Sequence, residues 1–357
     1  MKGALSLVVA VSGALLISCA DAPPTMPGGQ AAPSVAFTSP LVGEPLEELF
    51  YGSYFTHGTG SSIRDYACGV KVFADHRGVD ILLRNFVVMD SGVTVIAAAP
   101  GDVVAVRDGI FDRSVQNGAG GFGNYVTVAH ADGRNTIYGH LRSGSIAVSV
   151  AETVDRGDPL GLVGSSGNSN WPHLHFEVRR GATLAVDPFL GACNSIDDSM
   201  WQSQLPYQDP FMVLDHGISD VPSASLGDLL ERLDDVNEFV TSDPLVFAWS
   251  EFFNVQADGV RVDLRRPDGT LANSVESGAY QTFSVRFFGA WFDIAGVLTQ
   301  AGTYVIQHFH DNGSGFELVL EQEFELTTVT GPLPKRDPNA PTAGILAFET
   351  HGGDAAR

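Results

Sequence analysis

The chain has 357 residues, enough for two ordinary domains that each bury a core. Hydrophobic residues make up 44% of it and charged residues 17%, a composition typical of folded proteins. The net charge of −22 argues against nucleic-acid binding, which needs clustered lysine and arginine. Residues 191–357 contain 25 acidic and 8 basic residues, whereas residues 70–190 contain 12 and 10. This asymmetry favours two modules with different surfaces, or a single solvated acidic face.

The first 19 residues resemble a bacterial lipoprotein signal peptide. Lys2 precedes an apolar run over residues 4–17 that is too short for a stable membrane-spanning helix. The run ends in Leu16-Ile17-Ser18-Cys19, which resembles a lipobox. The lipobox predicts an exported protein that contacts the membrane through lipidated Cys19, and Ala20 favours the periplasmic face of the outer membrane. The alternative is an ordinary signal peptide with an unrelated cysteine.

Residues 20–45 are predicted to be a tether. They contain six prolines and almost no charge. Such a segment reaches about 28 Å as a flexible coil and about 80 Å as extended polyproline II.

Residues 46–195 are predicted to form a domain of β-strands and turns. Two short apolar runs, 93–98 and 103–106, flank the turn at Pro100-Gly101-Asp102. Residues 124–130 alternate and stop at Ala131-Asp132-Gly133, which is a hairpin signal. Because helical periodicity is scarce here, the predicted fold class is mainly β.

The rest of the chain is predicted to contain a second, smaller β domain. Residues 196–243 are interpreted as a connecting segment with an amphipathic helix over 226–240. Residues 244–328 contain strand-length runs between turns, as in a small immunoglobulin-like β-sandwich. Residues 329–357 are interpreted as a flexible tail. Aromatic side chains of the sandwich could form a ligand platform or its core: Trp249, Phe252, Phe253, Phe287, Phe288, Trp291 and Phe292.

Two short clusters in the first domain carry metal-ligand residues. His76-Arg77-Gly78-Val79-Asp80 supplies one nitrogen and one oxygen ligand, with Gly78 allowing a tight backbone path between them. His173 and His175 are two positions apart on a predicted strand, so both imidazoles share one face. A catalytic zinc needs three protein ligands, so one of these two imidazoles suffices. The other, together with His140, would serve as general base and as stabiliser of the developing oxyanion.

The other histidines do not belong to a cluster of metal-ligand residues. His308-Phe309-His310 repeats the His-x-His spacing but has no accompanying His-x-x-x-Asp, and it is interpreted as not metal-binding. The remaining isolated histidines are predicted to lie at the surface or in turns: His57, His130, His216 and His351.

With Cys19 lipidated, Cys68 and Cys193 form an even pair in an oxidising compartment. They lie just outside the two metal-ligand clusters, and we predict that a disulfide joins the ends of the domain. The alternative is two buried free thiols.

Five motifs in order resemble the lysostaphin-type (LytM) zinc endopeptidases over residues 70–190. They are His76-Arg77-Gly78-Val79-Asp80-Ile81, Gly121-Phe122-Gly123-Asn124-Tyr125-Val126, Tyr138-Gly139-His140-Leu141, Gly164-Ser165-Ser166-Gly167-Asn168-Ser169 and Pro172-His173-Leu174-His175-Phe176-Glu177. Asn170-Trp171 stands where that family commonly has small residues, so this part of the substrate groove departs from its pattern.

The resemblance implies an antiparallel β-sheet catalytic domain of the duplicated-hybrid-motif type. It implies that one zinc ion is bound by His76, Asp80 and His175, and that His140 and His173 are catalytic. The implied substrate is the peptide part of peptidoglycan, cleaved during cell-wall remodelling or lysis. Two alternatives are a non-catalytic wall-binding or activator protein that retains the fold, and a protease of ordinary proteins.

Overall fold

The computed structural model describes residues 34–116, 118, 120–221, 225–255, 259–278, 285–331 and 340–349. The predicted signal peptide, the lipidation of Cys19 and most of the predicted tether lie outside these residues. Among the residues described, no helix is long and apolar enough to cross a membrane. Strands dominate and pair mostly antiparallel, which confirms the predicted mainly β fold class.

The first half of the chain forms one large sheet and one small sheet. Its elements are Phe50–Ser53 (β1), Val79–Leu82 (β2), Phe86–Asp90 (α1), Thr94–Ile96 (β3), Gly101–Arg107 (β4), Asn124–Ala129 (β5), Arg134–Leu141 (β6), Thr153–Val154 (β7), Pro159–Leu162 (β8), His173–Arg180 (β9) and Leu184–Val186 (β10). The large sheet has the order β1-β2-β9-β6-β5-β4-β7, with β10 paired to β9, and β3 pairs with β8 separately. Strands β2, β9 and β6 are therefore adjacent, which brings distant motifs side by side.

Strand β9 shows why this sequence forms the centre of the sheet. Leu174, Phe176 and Val178 alternate along it and are buried in the core. The intervening positions carry His173, His175 and Glu177, which the period of two places on the opposite face. One strand thus supplies core packing on one side and polar chemistry on the other.

The second half of the chain forms a β-sandwich. Its elements are Met212–Ser219 (β11), Leu226–Leu230 (α2), Glu238–Val240 (β12), Leu245–Phe253 (β13), Val260–Arg265 (β14), Leu271–Glu276 (β15), Val285–Asp293 (β16), Gly302–Asp311 (β17), Phe316–Thr327 (β18) and Ala343–Glu349 (β19). One sheet has the order β11-β13-β16-β19, and the other has the order β12-β18-β17-β14-β15. Apolar side chains from both sheets fill the space between them.

The sandwich extends beyond its predicted bounds at both ends. Strand β11 lies in the predicted connecting segment and pairs with β13. Strand β19 lies in the predicted flexible tail and pairs with β16. Backbone hydrogen bonds add both strands to the four-stranded sheet. Neither segment carries a strong side-chain pattern that would have predicted a strand.

The predicted helix over residues 226–240 is much shorter in the structure. Helix α2 ends at Leu230, and Arg232 has a left-handed φ of 61° that ends the helical path. Residues 238–240 instead form β12, which pairs in parallel with β18. The apolar spacing that suggested one long helix therefore combines one helical turn with a short strand.

The end of the predicted tether is docked on the first half of the chain. Phe37 is buried against the rings of His130, Phe176 and Trp201. Leu41 is buried as well and forms an isolated bridge with Val95. Burial of these two apolar side chains stabilises the docked segment, so the tether ends well before the predicted boundary at residue 45.

The sandwich packs one aromatic face against the first half of the chain. Phe253 lies 5.5 Å from Phe50, and Phe287 lies 5.1 Å from Trp171, measured between ring centroids. Six of the seven aromatic residues considered for a ligand platform are buried, and Trp291 is partly buried. They form core and interface, so they do not offer an exposed platform.

A disulfide joins Cys68 to Cys193, whose Cα atoms are 5.0 Å apart. The two residues are 125 positions apart, and the loop between them contains all of β2 to β10. The ends of the sheet region are therefore covalently joined.

Candidate metal centre

Three side chains from the two predicted clusters converge in one place. His76 Nε2 lies 3.1 Å from Asp80 Oδ1 and 3.2 Å from His175 Nδ1, and the last two atoms are 2.9 Å apart. Among the residues described, this is the one group of histidine, cysteine and carboxylate side chains close enough to hold a metal ion. All three residues are buried.

The strands set this arrangement. Asp80 on β2 lies directly opposite His175 on β9, while His76 lies in the loop that leads into β2. Gly78 is required by close approach, since a Cβ there would lie 2.7 Å from Nε2 of the His175 ring and 2.6 Å from the Phe176 carbonyl oxygen. The sequence had suggested a tight turn as the reason for this glycine, whereas the structure shows that the His175 ring occupies the space.

Each histidine ligand is oriented through its second nitrogen. Nδ1 of His76 lies 2.8 Å from the Tyr54 carbonyl oxygen, which can only accept, so Nδ1 carries the proton and Nε2 faces the site. Nε2 of His175 lies 3.3 Å from Oε2 of Glu177, which leaves Nδ1 facing the site. Arg179 donates to Glu177 at 2.5 Å and so anchors that carboxylate in turn.

His140 and His173 lie beside this group with their rings 4.5 Å apart. Nδ1 of His140 is 2.7 Å from the Ser166 carbonyl oxygen, and Nδ1 of His173 is 2.7 Å from the Trp171 carbonyl oxygen. Both Nδ1 atoms are therefore donors, and Nε2 is the lone-pair nitrogen of each ring. Nε2 of His173 lies 3.7 Å from Asp80 Oδ1.

His140 occupies an irregular position in β6. Its φ is 61°, a left-handed conformation that is unusual for a residue with a Cβ. The register between β5 and β6 shifts at this point, between the pairs Asn124–Leu141 and Val126–Tyr138. Bulges of this kind redirect a side chain out of the regular alternation, and here the redirected side chain lines the site.

Charge and burial shift the pKa values of the group. Burial alone would raise the pKa of Asp80, but the imidazoles of His76 and His173 and the His175 hydrogen bond hold it well below its usual range. Burial lowers the pKa of His140 strongly, and the neighbouring His173 and His175 imidazoles lower it further. Burial also lowers the pKa of His173, although Asp80 and the bond to the Trp171 carbonyl oxygen oppose the effect. For His175, burial is outweighed by Asp80 and Glu177, which raise the pKa to about 9. His140 and His173 are therefore neutral near pH 7.

The site opens into a cleft of about 310 Å³. Phe73 stacks on His76 at 4.4 Å, and Phe122 lies 5.4 Å from His175, both measured between ring centroids. Arg77 and Arg179 also line the cleft. The cleft thus combines two aromatic walls with two guanidinium groups, of which Arg77 pairs with Asp75 and Arg179 with Glu177.

The three ligand atoms fit the dimensions of a zinc site. Bonds of roughly 2.0–2.1 Å in a tetrahedron require ligand atoms about 3.3 Å apart. The three observed separations are 2.9, 3.1 and 3.2 Å. Two imidazole nitrogens and one carboxylate oxygen also match the donor set of catalytic zinc, with a fourth position left for water.

His308 and His130 lie outside the site, and both are buried. His308, from the second His-x-His, is buried between Ser250 and Gln322 in the sandwich and belongs to no metal-ligand group among the described residues. His130, which was predicted to lie at the surface or in a turn, is buried instead. Its ring nitrogens lie 2.8 Å from the Pro100 carbonyl oxygen and 2.9 Å from Thr136 Oγ1.

Sequence reasoning assigned no orienting role to four residues that the structure shows to orient the site: Tyr54, Ser166, Trp171 and Glu177. Tyr54, Ser166 and Trp171 act through backbone carbonyls, which leave no residue-type signature. Glu177 could have been found, because the period of two that pairs His173 with His175 also places Glu177 on their face.

Comparison with known proteins identifies this region. Residues 74–188 match the model of peptidase family M23, and all five predicted site residues lie within that segment. The resemblance to the lysostaphin-type peptidases is thereby confirmed for about a third of the chain.

Three relatives are each similar to a short part of the chain. The cell division protein DipM of Caulobacter vibrioides is 46% identical over 19% of this chain and 12% of its own length. The DD-carboxypeptidase/endopeptidase Mpg of Neisseria meningitidis is 39% identical over 26% of this chain and 20% of its own. The murein hydrolase activator EnvC of Escherichia coli is 41% identical over 27% and 23%. The matches thus span less than a quarter of each of these relatives.

Two solved structures are also similar. The catalytic domain of lysostaphin from Staphylococcus simulans is 27% identical, covering 40% of this chain and 89% of that one with a TM-score of 0.27. The catalytic domain of EnpA from Enterococcus faecalis is 25% identical, covering 43% and 94% with a TM-score of 0.30.

Proposed function

On the premise that residues 74–188 form a domain of peptidase family M23, we propose that this chain is a zinc-dependent endopeptidase that hydrolyses peptide bonds of peptidoglycan. The observation that supports this most is the complete five-residue set. Three ligand atoms converge within 2.9–3.2 Å of one another, and two neutral imidazoles lie beside them.

In this proposal His76, Asp80 and His175 hold one zinc ion. Bound zinc would polarise the scissile carbonyl group and lower the pKa of water to about 7. Tyr54 and Glu177 fix the His76 and His175 rings so that the correct nitrogen of each faces the ion.

In this proposal His140 and His173 accept and donate protons. Each donates Nδ1–H to a backbone carbonyl, so each keeps a lone pair on Nε2 that can accept a proton from the attacking water. The imidazole that accepts it becomes an imidazolium. Its Nε2–H can then stabilise the oxygen on which negative charge develops, or return the proton to the leaving amine.

The relatives support peptidoglycan as the substrate. One is named as a DD-carboxypeptidase/endopeptidase and another as a murein hydrolase activator. The cleft supports this substrate class as well, since the exposed guanidinium group of Arg77 can pair with a carboxylate of a stem peptide.

The experiment that tests the proposal is digestion of isolated cell-wall sacculi by the purified chain, with mass spectrometry of the released fragments. We expect new amine and carboxyl ends at one peptide bond, loss of release with a chelator, and recovery with added zinc. His175→Ala should abolish release, whereas His216→Ala, at an exposed site in the sandwich, should not. Release that survives chelation or His175→Ala would refute the mechanism.

A second candidate is a non-catalytic activator of other wall enzymes, because the 41% identical relative is named a murein hydrolase activator. It would bind sacculi without hydrolysing them and would stimulate a separate amidase or peptidase equally well as wild type and as His175→Ala.

A protease of ordinary proteins is a third candidate. Digestion of glycine-rich proteins, without release of peptide fragments from sacculi, would identify it.

For its location, we propose that the chain is anchored through lipidated Cys19 at the periplasmic face of the outer membrane. The lipobox-like sequence before Cys19 supports this. Metabolic labelling with a radioactive fatty acid should mark the wild-type chain and not Cys19→Ser. Equal labelling of both, or no labelling of either, would remove the proposal.

A further inference from the structure

Trp171 connects three parts of the molecule around the candidate site. Its side chain is 1% exposed, although it lies in the segment that leads directly into β9 and His173. Its ring stacks on Phe287 of the sandwich, with centroids 5.1 Å apart and planes inclined by 26°. Its indole nitrogen donates to the Leu83 carbonyl oxygen at 2.8 Å.

The backbone carbonyl of Trp171 fixes the tautomer of His173. The carbonyl oxygen accepts from His173 Nδ1 at 2.7 Å and from Ser169 Oγ at 2.9 Å. Because a carbonyl cannot donate, this contact requires the proton on Nδ1 and leaves the lone pair on Nε2. A displaced carbonyl would allow the other tautomer, in which Nε2 carries the proton and cannot accept one.

Two hydrogen bonds to Leu83 hold the segment that contains the Trp171 carbonyl. Leu83 directly follows β2, the strand that carries Asp80, and its backbone N–H donates to the Pro172 carbonyl oxygen at 2.9 Å. Together with the indole bond to Leu83, this ties the segment before His173 to the strand of a proposed metal ligand.

The third support comes from the sandwich. Phe287 on β16 is 1% exposed, and its ring centroid lies 6.0 Å from that of Trp249 on the neighbouring strand β13. Both rings belong to the same apolar cluster as Trp171 and the core of the first half of the chain. The indole of Trp171 is thus enclosed by side chains from a region that contributes no residue to the cleft itself.

We propose that Trp171 is a positioning residue for His173, and that the sandwich, through Phe287, supports the reactive geometry of the site. This inference rests on the proposed function for its kinetic part. It gives the sandwich a definite role as a structural part of the hydrolytic unit.

The test compares Phe287→Ala with Phe287→Leu and with a matched control, Phe324→Ala. Phe324 is equally buried but packs inside the sandwich against Phe239 and Tyr304. Nitrogen-15 NMR of the histidine rings reports the tautomer of His173, with its signals assigned from their loss in His173→Ala. Zinc content, kcat and KM on a soluble wall peptide are measured on the same full-length samples.

We expect Phe287→Ala to mix the His173 tautomers and to lower kcat about tenfold or more per bound zinc, with KM changed by less than about twofold. Phe287→Leu should shift both properties in the same direction but by less, since leucine fills most of the volume but cannot stack on the indole ring. Phe324→Ala should leave tautomer and kcat unchanged. If Phe287→Ala fails to fold, Phe287→Leu provides the test. It should then show more of the other His173 tautomer and a lower kcat than wild type.

A His173 tautomer and a kcat that stay as in wild type in the Phe287 variants would overturn the proposal. It would also fall if Phe324→Ala produced the same changes, because the effect would then reflect general loss of stability. If no variant, wild type included, hydrolyses wall peptides, the proposed function fails while the tautomer measurement still decides the positioning role.

Discussion

Asp80 and His175 face each other across the backbone pairing of β2 and β9, and their ligand atoms are 2.9 Å apart. The separation is set by two adjacent strands in the middle of a sheet. Paired strands hold side chains more rigidly than loops do, so this pairing fixes two of the three candidate ligand positions, while the loop before β2 supplies His76. The predictions below test the contacts that keep the site in this form.

Glu177→Gln should weaken zinc binding by roughly 10- to 100-fold. The Glu177 carboxylate is 2% exposed and lies 3.3 Å from Nε2 of His175, and a neutral amide would no longer increase the basicity of the ring. Competition with a chromophoric chelator measures the affinity. Glu323→Gln, an exposed strand position in the sandwich, should bind zinc like wild type. Equal affinities in all three proteins would contradict a role for Glu177.

Gly78→Ala should displace the His175 ring, because the added methyl group would lie 2.7 Å from its Cε1 and Nε2 atoms. We expect a loss of zinc affinity of at least about tenfold and destabilisation of about 1–3 kcal/mol, as in other overpacked sites. Gly278→Ala is the control, since a Cβ there meets no atom within 4 Å. Chelator competition and urea unfolding give the two quantities. A Gly78→Ala protein that binds zinc like the control would show that the His175 ring can move aside freely.

Removing the disulfide through Cys68→Ser and Cys193→Ser should lower the free energy of unfolding by about 2–5 kcal/mol, because a long closed loop is released in the unfolded chain. Urea unfolding of the wild type with and without a reductant should show the same loss. In the double variant, the reductant should have no effect. An unfolding curve of the wild type that does not respond to the reductant would mean that the bond contributes no stability.

Lys71 makes stability depend on pH. Its ammonium group is buried, donates to the Gln208 carbonyl oxygen and lies 4.3 Å from the ring centroid of Phe253. Burial lowers its pKa to about 7 against the opposing charges of Asp209 and Asp65, while the unfolded chain keeps the ordinary value of 10.5. Between these values only the unfolded chain holds the proton. The free energy of unfolding should therefore rise with pH, by up to about 1.4 kcal/mol per unit.

Lys71→Met removes this proton and keeps most of the volume. The difference in unfolding free energy, wild type minus variant, should increase steadily from pH 7 to pH 10 when measured by urea unfolding. A difference that stays constant over this range would mean that Lys71 titrates normally in the folded protein.

The sequence predicted the site better than the boundaries of the second half. Side-chain motifs mark His76, Asp80, His140, His173 and His175, and the sheet brings all five together. The Tyr54 and Trp171 carbonyls that orient two of these rings belong to every residue type, so no pattern marks them. Glu177 was predictable from its spacing alone.

The missed elements of the sandwich have a different cause. Strand β19 is held in the sheet by its pairing with β16. The spacing of apolar residues within 343–349 does not specify a partner strand, so the sequence did not predict this pairing. The apolar spacing over 226–240 fitted a helix, but the left-handed backbone at Arg232 ends it after one turn. Pairing partners and single backbone angles are tertiary outcomes that a local pattern does not determine.

The docked segment near Phe37 lies at the opposite end of β6 from His140. The Val35 backbone N–H donates to Asp132, and Arg134 donates to the Val35 carbonyl oxygen, so the chain enters beside the first residue of β6. His140 lies six residues farther along that strand, about 20 Å away. Substitutions in the docked residues 34–37 should therefore affect the stability of the protein rather than the geometry of the candidate metal centre.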